Sequence, residues 1–158
     1  LDALALAGQG RSAAEIKERL EEEKLEASIY ITVATLKYLK KGGRVTPTAA
    51  AIGAVLNIKP VLLVWAEKLD SFAKVRGIKA AKKAMFEAVE RDLAENYAGE
   101  DMSVYAISTC NEEDMESWRQ EVAERFPQYN VTSEYLSLSV TCHIGPNAIA
   151  VAYAKNVK

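Results

Sequence analysis

The single histidine of this chain is its most versatile side chain at neutral pH, because an imidazole can carry a proton or bind an anion. His143 stands two residues before the turn Gly145-Pro146-Asn147, and side chains beside tight turns are usually exposed. A structural histidine and a functional histidine beside a binding site are both consistent with this position.

The two cysteines offer little further chemistry. Cys110 and Cys142, together with His143, could supply three metal ligands, but none of the paired spacings of metal sites occurs. The sequence also lacks the G-x-S-x-G and H-E-x-x-H motifs, the phosphate loop and the dinucleotide-binding pattern. We therefore expect no metal, no cofactor and no classical enzyme, and we interpret the cysteines as inert thiols of a cytoplasmic protein.

Positive charge is concentrated in one third of the chain. Between Ala34 and Lys83 there are eleven basic and two acidic residues, a net charge of +9, whereas the whole chain carries −2. Within this segment, Lys40, Lys41 and Arg44 flank the glycine pair Gly42-Gly43, whose backbone N–H groups can bind an anion. Arg76-Gly77 precedes the longest predicted helix, and the N-terminus of a helix also attracts anions. Solvated helix faces would carry the same charges, so an anion or acidic-partner surface is one of two interpretations.

Length and composition predict one globular domain. The 158 residues are 49% hydrophobic and 27% charged, which suffices for a core without disulfides or metals. No apolar run approaches the ~18 residues of a membrane span. The chain begins with two turns of apolar helix that lack an N-terminal cap. We therefore interpret residues 1–10 as the remnant of a preceding helix or domain junction and residues 11–158 as the domain.

Capping residues and hydrophobic periodicity predict the elements that must position these groups. Helices are predicted over residues 12–24, 35–42, 46–57, 77–97 and 111–126. Strands are predicted over residues 28–33, 60–65, 71–75, 103–108, 131–135 and 148–153, with residues 136–140 as an extension of the fifth. The expected fold class is α/β with α+β character: two layers, with a mixed sheet of about six strands covered by helices on one face.

Three segments together resemble the DegV family of bacterial fatty-acid-binding proteins. They are Tyr30 to Arg44, continuing to Leu56-Asn57-Ile58-Lys59-Pro60, then Lys74 to Gly77, and finally His143 to Ala148. Their order and spacing match those of the family. The resemblance covers essentially all 158 residues but only the C-terminal part of the family's two-domain chain, and it implies the fold of that C-terminal domain.

What the resemblance implies is a fatty acid carrier and not an enzyme. Such proteins hold one long-chain fatty acid, such as palmitate, between two domains, and some present its carboxylate to a fatty acid kinase. The resemblance assigns His143 and Gly145 to the fatty acid headgroup. We assign the acyl-chain pocket to Ile29, Ile31, Ile52, Gly53 and Leu56.

The resemblance also implies partners and a few local details. Arg44 and Arg76 match basic residues that face the kinase catalytic subunit and, transiently, an anionic membrane. Asn147 replaces a family glycine, but because Asn tolerates positive φ we expect the turn to be kept. Without the family's N-terminal domain, we expect the chain to fold, to bind fatty acid poorly and to associate with itself through an exposed apolar face.

Three other functions stay open at this point. A divergent member of the family could bind another small anionic ligand. A basic-surface domain could bind nucleic acid through the +9 segment, although the balanced charge of the whole chain predicts no nucleic-acid partner. A small-molecule kinase would need a phosphate loop and metal-binding carboxylates that the sequence does not display.

Overall fold

The computed structural model of the protein describes residues 2–43, 57–65 and 68–157. The described helices are α1 (Asp2–Gly8), α2 (Ala13–Glu23), α3 (Lys37–Lys41), α4 (Ile78–Asn96), α5 (Glu112–Arg125) and α6 (Leu138–Ile144). The described strands are β1 (Ala27–Thr32), β2 (Ile58–Trp65), β3 (Lys68–Arg76), β4 (Met102–Ser108), β5 (Val131–Tyr135) and β6 (Ile149–Lys155). The helix predicted over residues 46–57 falls almost entirely outside the described residues.

The two predicted side-chain caps form as expected. The Ser12 N–H donates to Glu15 Oε2 at 2.8 Å and the Glu15 N–H donates to Ser12 Oγ at 3.4 Å, which completes the capping box of α2. At α5 the Asp114 N–H donates to Asn111 Oδ1 at 2.9 Å. These bonds satisfy backbone groups that the first helical turn leaves unpaired, so both helices begin where the sequence predicts.

The six strands form one mixed sheet in the order β3-β2-β1-β6-β4-β5. Neighbouring strands are antiparallel except β4 and β5, which are parallel because α5 crosses over between them. The hairpin predicted from residues 60–65 and 71–75 is confirmed as the pair β2 and β3. The expected mixed α/β sheet of about six strands is therefore confirmed.

The main core lies between one face of the sheet and the two longest helices. α4 buries Ala81, Met85 and Val89 against it, and α5 buries Trp118 and Val122. These positions recur every three or four residues, as the predicted apolar stripes require. On the other face the short helices α3 and α6 pack over one end, where Leu39 and Ile144 join a second, smaller cluster.

The predicted strand extension over residues 136–140 is wrong. Its Leu-Ser-Leu-Ser-Val sequence alternates like a strand, yet β5 ends at Tyr135 and α6 begins at Leu138. β5 lies at the sheet edge beside β4, and β4 itself ends at Ser108, opposite Tyr135. After the Leu136 N–H donates to the Ser108 carbonyl at 3.0 Å, β4 offers no further residue to pair with. A helix then satisfies the backbone groups internally.

Candidate functional site

The sheet face turned away from α4 and α5, here called the α3/α6 face, carries two apolar rows that run across the strands. Directly paired residues of neighbouring strands point to the same face, so the register defines each row. The first row contains Val64, Ile29, Ala152 and Tyr105. The second row contains Leu62, Ile31, Ala150 and Ile107. The predicted acyl-chain residues Ile29 and Ile31 therefore share one face.

The two rows differ in burial at β1, whereas the residues on β2 and β4 are half-buried in both rows and the alanines on β6 are buried in both. In the second row Ile31 is only 4% exposed, because it packs in the cluster that Leu39 of α3 and Ile144 of α6 complete. In the first row Ile29, Val64 and Tyr105 are half-buried. An apolar surface that is half exposed on a sheet face is a candidate site for an apolar ligand or a further packing element.

The turn after α6 lies at the covered end of this face and is held by two hydrogen bonds of Thr109. The Thr109 hydroxyl donates to the Gly145 carbonyl at 2.9 Å and accepts from the Ala148 N–H at 2.9 Å. Asn147 adopts a φ of +59°, the left-handed conformation that the sequence predicts for this residue. Thr109 thereby fixes both sides of the turn that follows α6.

Gly145 is buried because the ring of Tyr38 lies directly on its backbone. Its φ is +82°, and a Cβ built at this position would overlap three ring carbons of Tyr38. Tyr38 belongs to α3, so this contact joins the two short helices of the α3/α6 face. The resemblance implies a role for Gly145 at a ligand headgroup, which stays a prediction; the structure shows a packing role.

His143 lies on the last turn of α6 and is exposed, as expected from the turn that follows. In the described part of the chain it makes no hydrogen bond or ion pair. An exposed imidazole without a protein partner is free to bind an anion, which is compatible with the predicted headgroup role.

The other predicted site residues are placed only in part. Arg76 ends β3 and is exposed, next to Gly77 with a φ of +79°. Arg44, Ile52, Gly53 and Leu56 lie outside the described residues.

Two lysines of the +9 segment form ion pairs with glutamates of the same chain. The Lys82 ammonium contacts Glu121 at 2.5 Å and lies 5.0 Å from the centre of the Trp118 ring, and Lys83 pairs with Glu87 at 3.6 Å.

The described residues contain neither a candidate metal site nor a candidate membrane span. No group of three or more His, Cys, Asp or Glu side chains in residues 2–43, 57–65 and 68–157 could hold a metal ion. Over the same ranges no helix combines the length and the apolar character that crossing a membrane requires.

Sequence reasoning missed a buried polar cluster on the α4 side of the sheet. Asp92, only 8% exposed, accepts hydrogen bonds from the Tyr30 hydroxyl at 2.5 Å and the Tyr153 hydroxyl at 3.2 Å, and Arg91 Nη2 donates to its other oxygen at 2.7 Å. Burial and the neighbouring Asp92 carboxylate raise the pKa of both tyrosines. The signal in the sequence was an aspartate beside Leu93 and three residues after Val89, within the apolar stripe of α4.

We expect this cluster to make the protein sensitive to alkali. Because the pKa of Tyr30 and Tyr153 is raised in the folded state, only the unfolded chain ionises them just above pH ~10. Stability should be unaffected below that pH and should fall above it by about 1.4 kcal/mol per pH unit for each tyrosine. Urea denaturation at increasing pH measures this slope.

The matched control for this measurement is a Tyr135→Phe variant, because Tyr135 is exposed. The Tyr30→Phe/Tyr153→Phe variant should lose stability less steeply above pH ~10 than this control does. Equal slopes in the two variants would contradict the prediction.

Three comparisons place the chain among known proteins. Residues 1–156 match the family model described as "Uncharacterised protein, DegV family". A DegV domain-containing protein from Clostridium perfringens is 35% identical over 150 residues, which cover 94% of this chain and 50% of that protein. The chain spans about half the length of the curated relatives it matches.

Solved structures share the fold. A stearic acid-binding protein from Eubacterium ventriosum superposes with a TM-score of 0.80 at 22% identity, covering 96% of this chain and 52% of that one. A DegV family protein from Thermus thermophilus, described by its fatty acid binding, gives a TM-score of 0.75 at 28% identity, with 97% and 54% covered. Since the family model spans nearly every residue and the fold agrees, this chain belongs to the DegV family.

Proposed function

We propose that the α3/α6 face forms one wall of a binding site for a long-chain fatty acid such as palmitate, and that the protein is a carrier and not an enzyme. The observation that carries the proposal is the first apolar row, in which Ile29, Val64 and Tyr105 are only half-buried. The fatty acid binding of the Thermus thermophilus relative, 28% identical, supports the same ligand class for this chain.

The energetics of such a site favour an acyl chain. Each methylene removed from water contributes about 0.8 kcal/mol, so ten methylenes would contribute about 8 kcal/mol before the cost of ordering the chain. The two rows supply apolar side chains on four neighbouring strands, and the alanines of β6 lie between larger residues of β1 and β4. Ile52, Gly53 and Leu56 belong to the same proposal as further residues of the acyl-chain pocket.

The headgroup is proposed to lie near the end of α6. His143 is exposed there and makes no hydrogen bond or ion pair in the described part of the chain, so its imidazole can donate to a carboxylate. Gly145 would act through its backbone position, because the Tyr38 ring and Thr109 hold the turn beside it. Pre-organisation of this kind lowers the ordering cost of binding a charged group.

The proposal extends to partners and surroundings. The relatives are about twice as long as this chain, and a second domain is proposed to cover the α3/α6 face. The alternative proposal is that two copies of the chain associate through this face. Arg76, exposed at the end of β3, and Arg44 are proposed to contact a fatty acid kinase subunit or an anionic membrane. The two free cysteines are consistent with a cytoplasmic location.

The lipid proposal is tested by isothermal calorimetry of palmitate with the 158-residue chain and three variants. Ile29→Asp places a charge on the half-buried first row and should weaken binding at least about tenfold. Leu138→Asp is the matched control, because Leu138 is 79% exposed on α6. Arg76→Ala should also leave palmitate affinity unchanged, since its proposed role is partner contact.

The expected affinity of the isolated chain is micromolar or weaker, because one wall would leave part of the acyl chain in water. Equal weakening by Ile29→Asp and Leu138→Asp would contradict a site on the first row. Submicromolar binding that Ile29→Asp abolishes would support the site and reject the need for a second wall.

A further inference from the structure

A groove of about 600 Å³ lies on the α4 side of the sheet, away from the proposed fatty acid site. It opens where the C-terminal half of α4 meets the start of β1 and the end of β2. Its walls include the aromatic residues Tyr30, Trp65, Tyr97 and Tyr153, the carboxylates of Glu26 and Asp92, and the guanidinium of Arg91. Small-molecule sites commonly enclose 300–1,000 Å³ with a few placed polar groups, so the groove is large enough for a small ligand.

Trp65 is held in place at the mouth of this groove although it is 48% exposed. Its indole Nε1–H donates to the Leu25 carbonyl at 3.1 Å, which orients the ring. A large aromatic side chain that is both exposed and hydrogen-bonded presents its ring to a ligand without a further loss of side-chain entropy. Deeper in the groove the rings of Tyr97 and Tyr153 lie 5.5 Å apart, centre to centre.

Arg91 and Asp92 pair within the groove, and the carboxylate of Glu26 is the remaining charged group among the described residues of its walls. Arg91 neutralises Asp92, and its guanidinium carbon also lies 5.7 Å from the centre of the Phe72 ring. Glu26 is half-buried and forms no ion pair within the described ranges. Lys155 lies close enough to interact electrostatically with Glu26, but its ammonium forms an ion pair with Glu100 at 2.9 Å. The groove therefore combines oriented aromatic rings with a net negative charge.

We propose that this groove binds an organic ammonium ion, with Glu26 facing its charge and Trp65 and Tyr97 contacting its alkyl groups. The faces of aromatic rings attract cations, and quaternary ammonium ions are the ligands for which such rings are typically assembled. A carboxylate at the mouth adds attraction that an uncharged ligand of the same shape does not receive. This site is independent of the proposed function, since it occupies the opposite side of the sheet.

The test compares choline with 3,3-dimethylbutan-1-ol, a neutral molecule of nearly the same shape. Tryptophan fluorescence follows binding, because Trp65 is exposed whereas Trp118 is buried. We expect choline to change the fluorescence with a millimolar dissociation constant and the alcohol to bind at least about fivefold more weakly, the effect of one partly screened charge. Equal binding of the two, or no response to choline at millimolar concentrations, would overturn the proposal.

Two variants distinguish the groove from general attraction of cations to the protein. Glu26→Gln should weaken choline binding about fivefold. Glu121→Gln is the control, because that carboxylate is also half-buried but lies in another groove, bonded to Lys82. Circular dichroism and urea denaturation check that both variants are folded. Equal affinities of the two variants for choline would reject the assignment of Glu26.

Discussion

Replacing Gly145 with alanine is expected to lower the free energy of unfolding by about 2–5 kcal/mol, because two costs add. The φ of +82° places a Cβ against the backbone, which costs about 1–2 kcal/mol for a non-glycine residue. The same methyl group would overlap the Tyr38 ring, and such overpacking costs about 1–3 kcal/mol. Urea denaturation of the Gly145→Ala variant measures the sum.

Gly99→Ala is the matched control for this prediction. Gly99 has a φ of +84°, but a Cβ there would meet no atom within 4 Å, so only the backbone cost of about 1–2 kcal/mol applies. In a Tyr38→Ala background the cost of Gly145→Ala should fall to that of Gly99→Ala, a coupling that a double-mutant cycle detects. If Gly145→Ala costs no more than Gly99→Ala in the original background, the Tyr38 contact has no energetic role.

The second large effect is expected at Asp92. Asp92→Ala would leave the hydroxyls of Tyr30 and Tyr153 without their acceptor and Arg91 without its partner carboxylate. Breaking a buried, hydrogen-bonded charge pair costs about 3–5 kcal/mol. The variant is therefore expected to unfold at a much lower urea concentration than the original chain.

Asp70→Ala provides the comparison, because Asp70 is exposed on the edge strand β3 and should cost no more than about 0.5 kcal/mol. Asp92→Asn keeps an oxygen acceptor and the size of the side chain, so its cost should lie between those of the two alanine variants. Equal losses from Asp92→Ala and Asp70→Ala would show that the buried cluster does not stabilise the fold.

Much of the secondary structure follows from local sequence. The Ser12–Glu15 capping box, the Asn111 cap and the apolar stripe of α4 all involve residues within one or two turns of each other. Strands β1, β2, β4, β5 and β6 follow from runs of β-branched and apolar residues at the predicted positions. Local hydrogen bonds and local periodicity suffice for the helices, because their partners lie nearby in the chain. They also mark the strand segments, although β1 pairs with β6 more than 110 residues away.

The candidate site was predictable in outline. A strand alternates its faces, so the sequence alone places Ile29 and Ile31 on one side of β1, and the turn after His143 predicts an exposed imidazole. The resemblance at residues 30–44, 74–77 and 143–148 predicted the family that the comparisons confirm. The roles of His143, Gly145 and the arginines remain predictions for the experiments above.

The amino-acid sequence by itself determined the helix caps, the positions of the strands apart from the end of β5, the turn at Asn147 and membership of the DegV family. Only the tertiary structure decided where β5 stops, which face each row occupies, and why Gly145 must be glycine. The partners in these cases are distant in the chain: Asp92 contacts Tyr30 across 62 residues, and the Tyr38 ring contacts Gly145 across 107 residues. Composition and periodicity report only on residues that are neighbours along the chain. Burial and steric overlap depend on which strands pair and in which register, and pairing depends on contacts between distant segments of the sheet.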